Sequence, residues 1–167
     1  VAFDKIPKKL FALATVTTAL ALLYCTSLSS EYLWGADVHQ EYYFANLAKT
    51  SFFWDSTIPH SYNAMLSVVM LAPIFSIISG MPLVWVFKII YPLLFSLVPL
   101  TLYRVFKMQT DCKTAFFAVF FFISVFTFFT EMIGLAKQQI AEIFLALLLL
   151  LIADKRAVVN PRKKGVF

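Results

Sequence analysis

Charge is scarce in this chain: 14% of its 167 residues are Asp, Glu, Lys or Arg, against roughly a quarter in soluble domains. That shortage excludes an ordinary water-facing globular surface. Cysteine occurs twice, at Cys25 and Cys112, which leaves no disulfide framework and no metal-type Cys spacing. Histidine also occurs only twice, as His39 and His60. What fills the chain instead is 61% hydrophobic and 17% aromatic residue, including 19 Phe crowded into the apolar runs. The Phe residues suit packing between helices and against acyl chains, and are read as scaffold. This composition places the chain in lipid, with the bilayer as its first partner.

A net charge of +5 would suit nucleic acid, but Lys and Arg gather at the edges of apolar runs, where membrane topology accounts for them. No nucleic-acid partner is expected. Four long apolar stretches, at residues 9–28, 82–106, 113–130 and 137–153, approach the roughly 20 residues that cross a bilayer. A fifth, 64–79, is short and holds Pro73 inside it, where a proline removes a backbone hydrogen bond and bends or breaks a helix.

Lys and Arg near span ends collect on the cytoplasmic side, so charge decides what the fifth stretch does. If it does not cross, the cytoplasm receives Lys5, Lys8, Lys9, Arg104, Lys107, Lys113, Lys155, Arg156, Arg162, Lys163 and Lys164, which is 11 of the 14 basic residues. If it crosses, the last eight of these fall outside, against the rule. The expected fold is therefore all-α, a polytopic transmembrane helix bundle of four full spans. It adds a broken or re-entrant helix at 64–79 and an outer loop, 29–63, with short helices. Both termini are expected in the cytoplasm and the 29–63 loop outside it, with the plasma membrane as the location. Cys25 and Cys112 then lie on opposite sides and cannot pair.

The sequence starts at Val1 and stops on a basic segment, Arg162 to Phe167. Residues 1–167 are expected to form one transmembrane domain, the amino-terminal part of a larger protein. The run at 10–30 is longer than a usual signal-peptide core and is read as a retained first span.

On this topology the outer side gathers Glu31, Asp37, Glu41, Asp55 and Glu131 with both histidines. The 29–63 loop is longer than a connection needs, which favours function. Within it, Gly35-Ala36-Asp37-Val38-His39-Gln40-Glu41-Tyr42 reads as a turn and a helix start, with Asp37 as N-cap and Gln40 completing a capping box. On that helix Asp37 and Glu41 share a face and His39 points elsewhere. Two carboxylates facing one cavity can divide their work, one as a base and the other as a metal ligand or binding group. Capping alone would also explain Asp37, and solvation would explain His39 and Glu41.

Trp34, Trp54 and Tyr62 suit the membrane interface. Asp55 and His60 are candidates to face the cavity beneath the loop, with His60 able to hydrogen-bond a lipid phosphate. Gln138 and Glu142 share a helix face, and an ionisable group entering a span marks either a functional site or interhelical hydrogen bonding. Lys88 either snorkels to the interface or offers its charge to an anionic headgroup.

Three segments carry a resemblance: Gly35 to Tyr42, Val86-Phe87-Lys88-Ile89-Ile90-Tyr91-Pro92, and Thr130-Glu131-Met132 with Gln138-Gln139-Ile140-Ala141-Glu142. With one span, a long outer loop opening on Asp, and paired spans after it, the chain resembles the GT-C superfamily of polytopic glycosyltransferases. That superfamily includes oligosaccharyltransferase catalytic subunits and protein O-mannosyltransferases. The likeness is nearest to a family of mostly archaeal predicted membrane proteins. It implies a polyprenyl-phosphate-linked sugar as donor, with Asp37, aided by Glu41, as base or metal ligand, and Lys88, Lys137 or His60 steadying the leaving phosphate. His39, Asp55, Gln138 and Glu142, singled out by the residue reading above, complete the candidate substrate or lipid-phosphate binding set.

An Asp-x-Asp pair in the next outer loop is absent, and only Glu131 stands there. A divalent metal on Asp37 and Glu131 is therefore without that motif's support, and the cofactor is left unassigned. Two other functions fit the same sequence. A transporter or flippase-like protein would use Lys88, Gln138 and Glu142 as a polar path, and a non-catalytic membrane subunit would use the aromatic outer loop to dock a partner.

Overall fold

The computed structural model describes Pro7 and residues 10–154. Lys5, Lys8 and Lys9, and the basic residues Lys155, Arg156, Arg162, Lys163 and Lys164, lie outside the described residues. Apolar chain in lipid must satisfy its own N–H and C=O groups, and helix does so within each segment. Seven helices form among the described residues, with no strand: α1 (Leu10–Ser27), α2 (Asp37–Ser51), α3 (Leu66–Ser79), α4 (Leu83–Gln109), α5 (Cys112–Ser124), α6 (Phe126–Gly134) and α7 (Ala136–Ala153).

Helices α1, α4 and α7 have 18, 27 and 18 residues and are long and apolar enough to cross a membrane. At 1.5 Å per residue they span about 27, 40 and 27 Å. The expected span at 113–130 is broken. Val125 takes an extended conformation (φ −66°, ψ 127°), and α6 turns 67° away from α5. Three helices therefore qualify, or four if the bent pair counts as one span, against the four full spans expected from sequence. The bend sets Phe128 against Phe95 and Phe122, at ring-centroid distances of 5.1 and 5.4 Å.

The stretch expected to break at Pro73 is helical through that residue. Its irregularity lies at Met70, between the segments Leu66–Val69 and Leu71–Ser79. The proline ring crowds the carbonyl four residues earlier, which is that of Val69, so the distortion precedes the proline.

Chain direction follows from a few contacts. Phe11, early in α1, stacks on Phe116 in the first turns of α5 at 5.1 Å. At the other end of α1, the Tyr24 hydroxyl donates to the Ile89 carbonyl (3.1 Å) and the Ser27 hydroxyl to the Lys88 carbonyl (2.6 Å). Helices α1 and α4 are thus antiparallel. The final turns of α7, Leu149 to Ala153, line a cavity with Val105, Met108 and Gln109, so α7 runs parallel to α4. The bundle has one end carrying Ser27, Lys88 and the start of α7, and another carrying Arg104, Lys107 and the α4–α5 turn. At that turn the Asp111 carboxylate caps α5, accepting from the N–H groups of Lys113 and Thr114. Fully buried Ala19, Ala115 and Ala146 let the helices approach closely, while Leu13, Phe121, Phe144 and Ile152 point outward, as lipid contact favours.

Helix α4 widens into a π-type turn at Val86–Ile90. Pro92 has no N–H to offer the Lys88 carbonyl four residues back, and the Ser27 hydroxyl supplies that hydrogen bond from α1. Ser27→Ala is expected to lower stability by about 0.5–1.5 kcal/mol, the range of one interhelical hydrogen bond in a membrane protein. A thermal unfolding curve in detergent checks this, and an unchanged midpoint would show that the hydroxyl contributes nothing.

Candidate active site

The site begins with two glycines. Gly35 has φ +111°, a conformation L side chains rarely adopt, and its backbone lies directly on that of Gly134. A Cβ built on Gly35 would stand 2.7 Å from the Gly134 Cα, and one on Gly134 would stand 3.1 Å from the Gly35 Cα. This close approach sets the start of α2 against the start of α7, about 100 residues apart in sequence. Lys88 adds a second tie. Its ammonium donates to the carbonyls of Ser30 and Tyr32 and lies 5.4 Å from the Trp85 ring centroid, anchoring the chain between α1 and α2 onto α4.

Asp37 opens α2 but does not cap it. The N-cap is Ala36, with no side-chain hydrogen bond, so the expected capping box with Gln40 does not form. The Asp37 carboxylate instead accepts from the Lys137 ammonium at 2.6 Å. One turn along α2, Glu41 is 1% exposed and reaches the same partner, with Oε1 3.7 Å from Lys137 Nζ. Its other oxygen accepts the Ala136 N–H at 2.9 Å, so Glu41 caps the start of α7, where Leu135 offers no side-chain cap. Lys137 also donates to the Tyr62 hydroxyl oxygen at 3.1 Å and sits 4.2 Å from that ring's centroid.

A lysine in the first turn of a helix opposes the helix dipole. Two carboxylates and a phenol oxygen compensate it here. The two acids are thereby differentiated. Lys137, with Tyr62 assisting, holds the Asp37 carboxyl below its usual range. Burial pushes the Glu41 carboxyl up, against the opposing pull of the Lys137 charge and of backbone N–H groups. Glu41 Oε1 has no hydrogen-bond partner among the described residues.

These opposite shifts give stability opposite pH slopes. The Asp37 contribution is present above the ordinary Asp range and is lost as pH falls through its lowered folded value. The Glu41 contribution is present below the ordinary Glu range and is lost as pH rises through its raised folded value. Glu41→Gln should therefore abolish the alkaline-side loss while keeping the acid-side loss, measured as thermal midpoint against pH. An unchanged alkaline limb would assign that loss to another group.

The remaining candidates do not all converge. His39 is exposed on another face of α2, lining with Gln40, Tyr43, Phe44 and His60 an open groove of about 430 Å³. The His60 ring lies between Phe44 (4.7 Å) and Tyr62 (5.6 Å), and its Nδ1 accepts the Tyr62 N–H at 3.2 Å. His60 therefore borders the Lys137 cluster through Tyr62. Asp55 closes a turn instead, accepting from the Thr57 N–H and hydroxyl, which keep its carboxyl below the usual range.

Lys88 is buried and committed to loop carbonyls rather than reaching a headgroup. Gln138 is exposed, and Glu142 is half-buried beside Phe95, Phe122 and Met132 without a hydrogen-bond partner among the described residues. Glu131 is exposed at the start of the final turn of α6, and no group of three His, Cys, Asp or Glu side chains suited to a metal occurs among the described residues. Asp37 and Glu131 therefore belong to no such three-residue group among the described residues.

Sequence reading passed over Gln139, which is fully buried and donates to the Met132 carbonyl at 2.6 Å. It also passed over Gly35, Gly134 and Tyr62 as parts of the site. For the glycines, the usable signal was their presence in the turns just before α2 and α7 in a sequence with four glycines in all. Compared with protein-family models, curated proteins and solved structures, the chain matches none.

Proposed function

We propose that this chain belongs to a membrane glycosyltransferase that moves a sugar from a polyprenyl-phosphate-linked donor to an acceptor outside the cytoplasm. The observation that carries this reading is the meeting of Asp37, Glu41 and Lys137 at one end of an apolar bundle. Transfer from a lipid phosphate needs a base for the acceptor hydroxyl and a cation for the departing phosphate, both at membrane-surface depth. Asp37 is the base and Lys137 the cation, and Glu41 orients Lys137 while capping α7.

The location of the site outside the cytoplasm rests on the charge pattern. Arg104, Lys107 and Lys113 stand at the far end of α4 from the acidic cluster, about 40 Å along a helix of 27 residues. Exposed Tyr32, Trp34, Tyr43 and Phe53 surround the acidic end, as aromatic residues do at an interface. The chain's partners on this account are the bilayer and the lipid-linked sugar.

The test is transfer of a radiolabelled sugar from a polyprenyl-phosphate-linked donor by the full-length protein in membranes. Lys137→Met should raise the donor KM and lower kcat. Glu142→Gln should leave both within about twofold, because Glu142 lies in a separate apolar pocket away from Lys137. A transport activity lost with Glu142→Gln and kept with Asp37→Asn would favour the transporter reading instead.

A further inference from the structure

We propose that Lys137 is an exchangeable counter-ion: a phosphate headgroup arriving at the membrane surface draws its ammonium away from Asp37 and so releases the Asp37 carboxylate to act as a base. This rests on the glycosyltransferase reading and concerns how its site is switched on.

As paired in the structure, the base and the cation neutralise each other. With Lys137 Nζ 2.6 Å from Asp37, the carboxylate's affinity for a proton is reduced when the acceptor hydroxyl needs it most. Three features make the pairing exchangeable. The side chains of Lys137 and Asp37 are 20% and 40% exposed, so water competes for both partners and the pair is weakly held. The phosphodiester of a lipid-linked sugar brings a full negative charge and two non-bridging oxygens, so it can replace the Asp37 carboxylate as the ammonium's partner like for like.

The third feature is Glu41 Oε1, which is buried, without a hydrogen-bond partner among the described residues, and 3.7 Å from the ammonium. It gives Lys137 an acceptor to close upon as Asp37 is released. The ammonium then moves within a cage of Glu41, Tyr62 and the incoming phosphate, and never loses all its partners. Because Glu41 is fixed by the Ala136 N–H, the swing is a rotation of the lysine side chain alone and α7 stays in place.

The exchange couples donor binding to base activation. Without donor, Asp37 is held by Lys137 and water at the site meets a blocked base. With donor, the same movement that binds the phosphate unmasks the carboxylate.

The test follows the Asp37 carboxyl directly. The full chain, carrying ¹³C in its aspartate side-chain carboxyls, is placed in nanodiscs of neutral lipid, and the Asp37 signal is assigned by its loss in Asp37→Asn. Its titration midpoint is read in neutral lipid, with added long-chain alkyl phosphate, and with inorganic phosphate in solution. The midpoint should rise with the alkyl phosphate to the position it holds in Lys137→Met, and Lys137→Met should no longer respond. A rise with inorganic phosphate as well would support the exchange and assign it to the phosphate group alone. A midpoint unmoved by either phosphate would overturn the exchange, even if Asp37→Asn still abolishes sugar transfer. Loss of transfer without any such shift would leave the glycosyltransferase reading standing alone.

Discussion

Asp37→Asn in the full-length protein is expected to abolish sugar transfer, with a loss of about 10²–10⁴ in kcat, the usual contribution of a positioned acid or base. The substitution separates catalysis from folding because Asp37 does not cap α2, whose N-cap is Ala36. Asn keeps the size of the side chain and an oxygen able to accept from Lys137, so the start of α2 and its approach to α7 should persist. What disappears is the charge and the capacity to take a proton. Membrane expression and thermal midpoint should stay near wild type while product formation falls. Retained transfer would remove Asp37 from the chemistry and leave it as a partner for Lys137.

Gly35→Ala is expected to have the largest structural effect. The new methyl carbon would stand 2.7 Å from the Gly134 Cα, with backbone rather than a flexible side chain as its neighbour, and φ +111° would strain the residue as well. Backbone strain of about 1–3 kcal/mol and overpacking of about 1–3 kcal/mol together predict a loss of about 2–6 kcal/mol, with the starts of α2 and α7 forced apart. Gly80→Ala is the control. Gly80 also has positive φ, at +70°, but nothing lies within 4 Å of its built Cβ, so it should pay the strain alone. A Gly35→Ala midpoint no lower than that of Gly80→Ala would mean that the two glycine backbones are not in contact.

Much of the bundle could be read from residue order, since uncharged runs of near-spanning length leave few alternatives to helix. Residues 9–28, 82–106 and 137–153 became α1, α4 and α7 with shifts of a few residues at their ends. The break at Val125 was not legible because apolar residues continue on both sides of it, with no proline or glycine to mark the turn. Pro73 marked a real break but not its place. A proline near the start of a helical segment distorts the turn before it and leaves the following helix intact, as at Met70.

The site was half legible. Spacing alone put Asp37 and Glu41 on one face of α2 and His39 on another, and the structure keeps both relations. Sequence spacing could not pair them with Lys137, because that contact spans 100 residues and depends on two glycines meeting. The local N-cap pattern at Asp37 was outweighed by the pull of a lysine held in the first turn of α7. Capping was nonetheless the right chemistry in the wrong place: Glu41 performs it, for α7 rather than for its own helix. Lys88 read as a residue that either snorkels to the interface or offers its charge to an anionic headgroup. Its burial is compensated by loop carbonyls that no pattern in the sequence points to.

The meeting of α2 and α7 is the claim on which the catalytic account depends, and carbodiimide cross-linking in intact membranes tests it most directly. This reagent joins a carboxylate to an amine without a spacer, so it reports only groups already in contact. Digestion and mass spectrometry should recover the peptide containing Asp37 joined to the peptide containing Lys137, with the product lost in Asp37→Asn and Lys137→Met. Recovery of both peptides unjoined, under conditions that modify Asp37 and leave Lys137 free, would contradict the account.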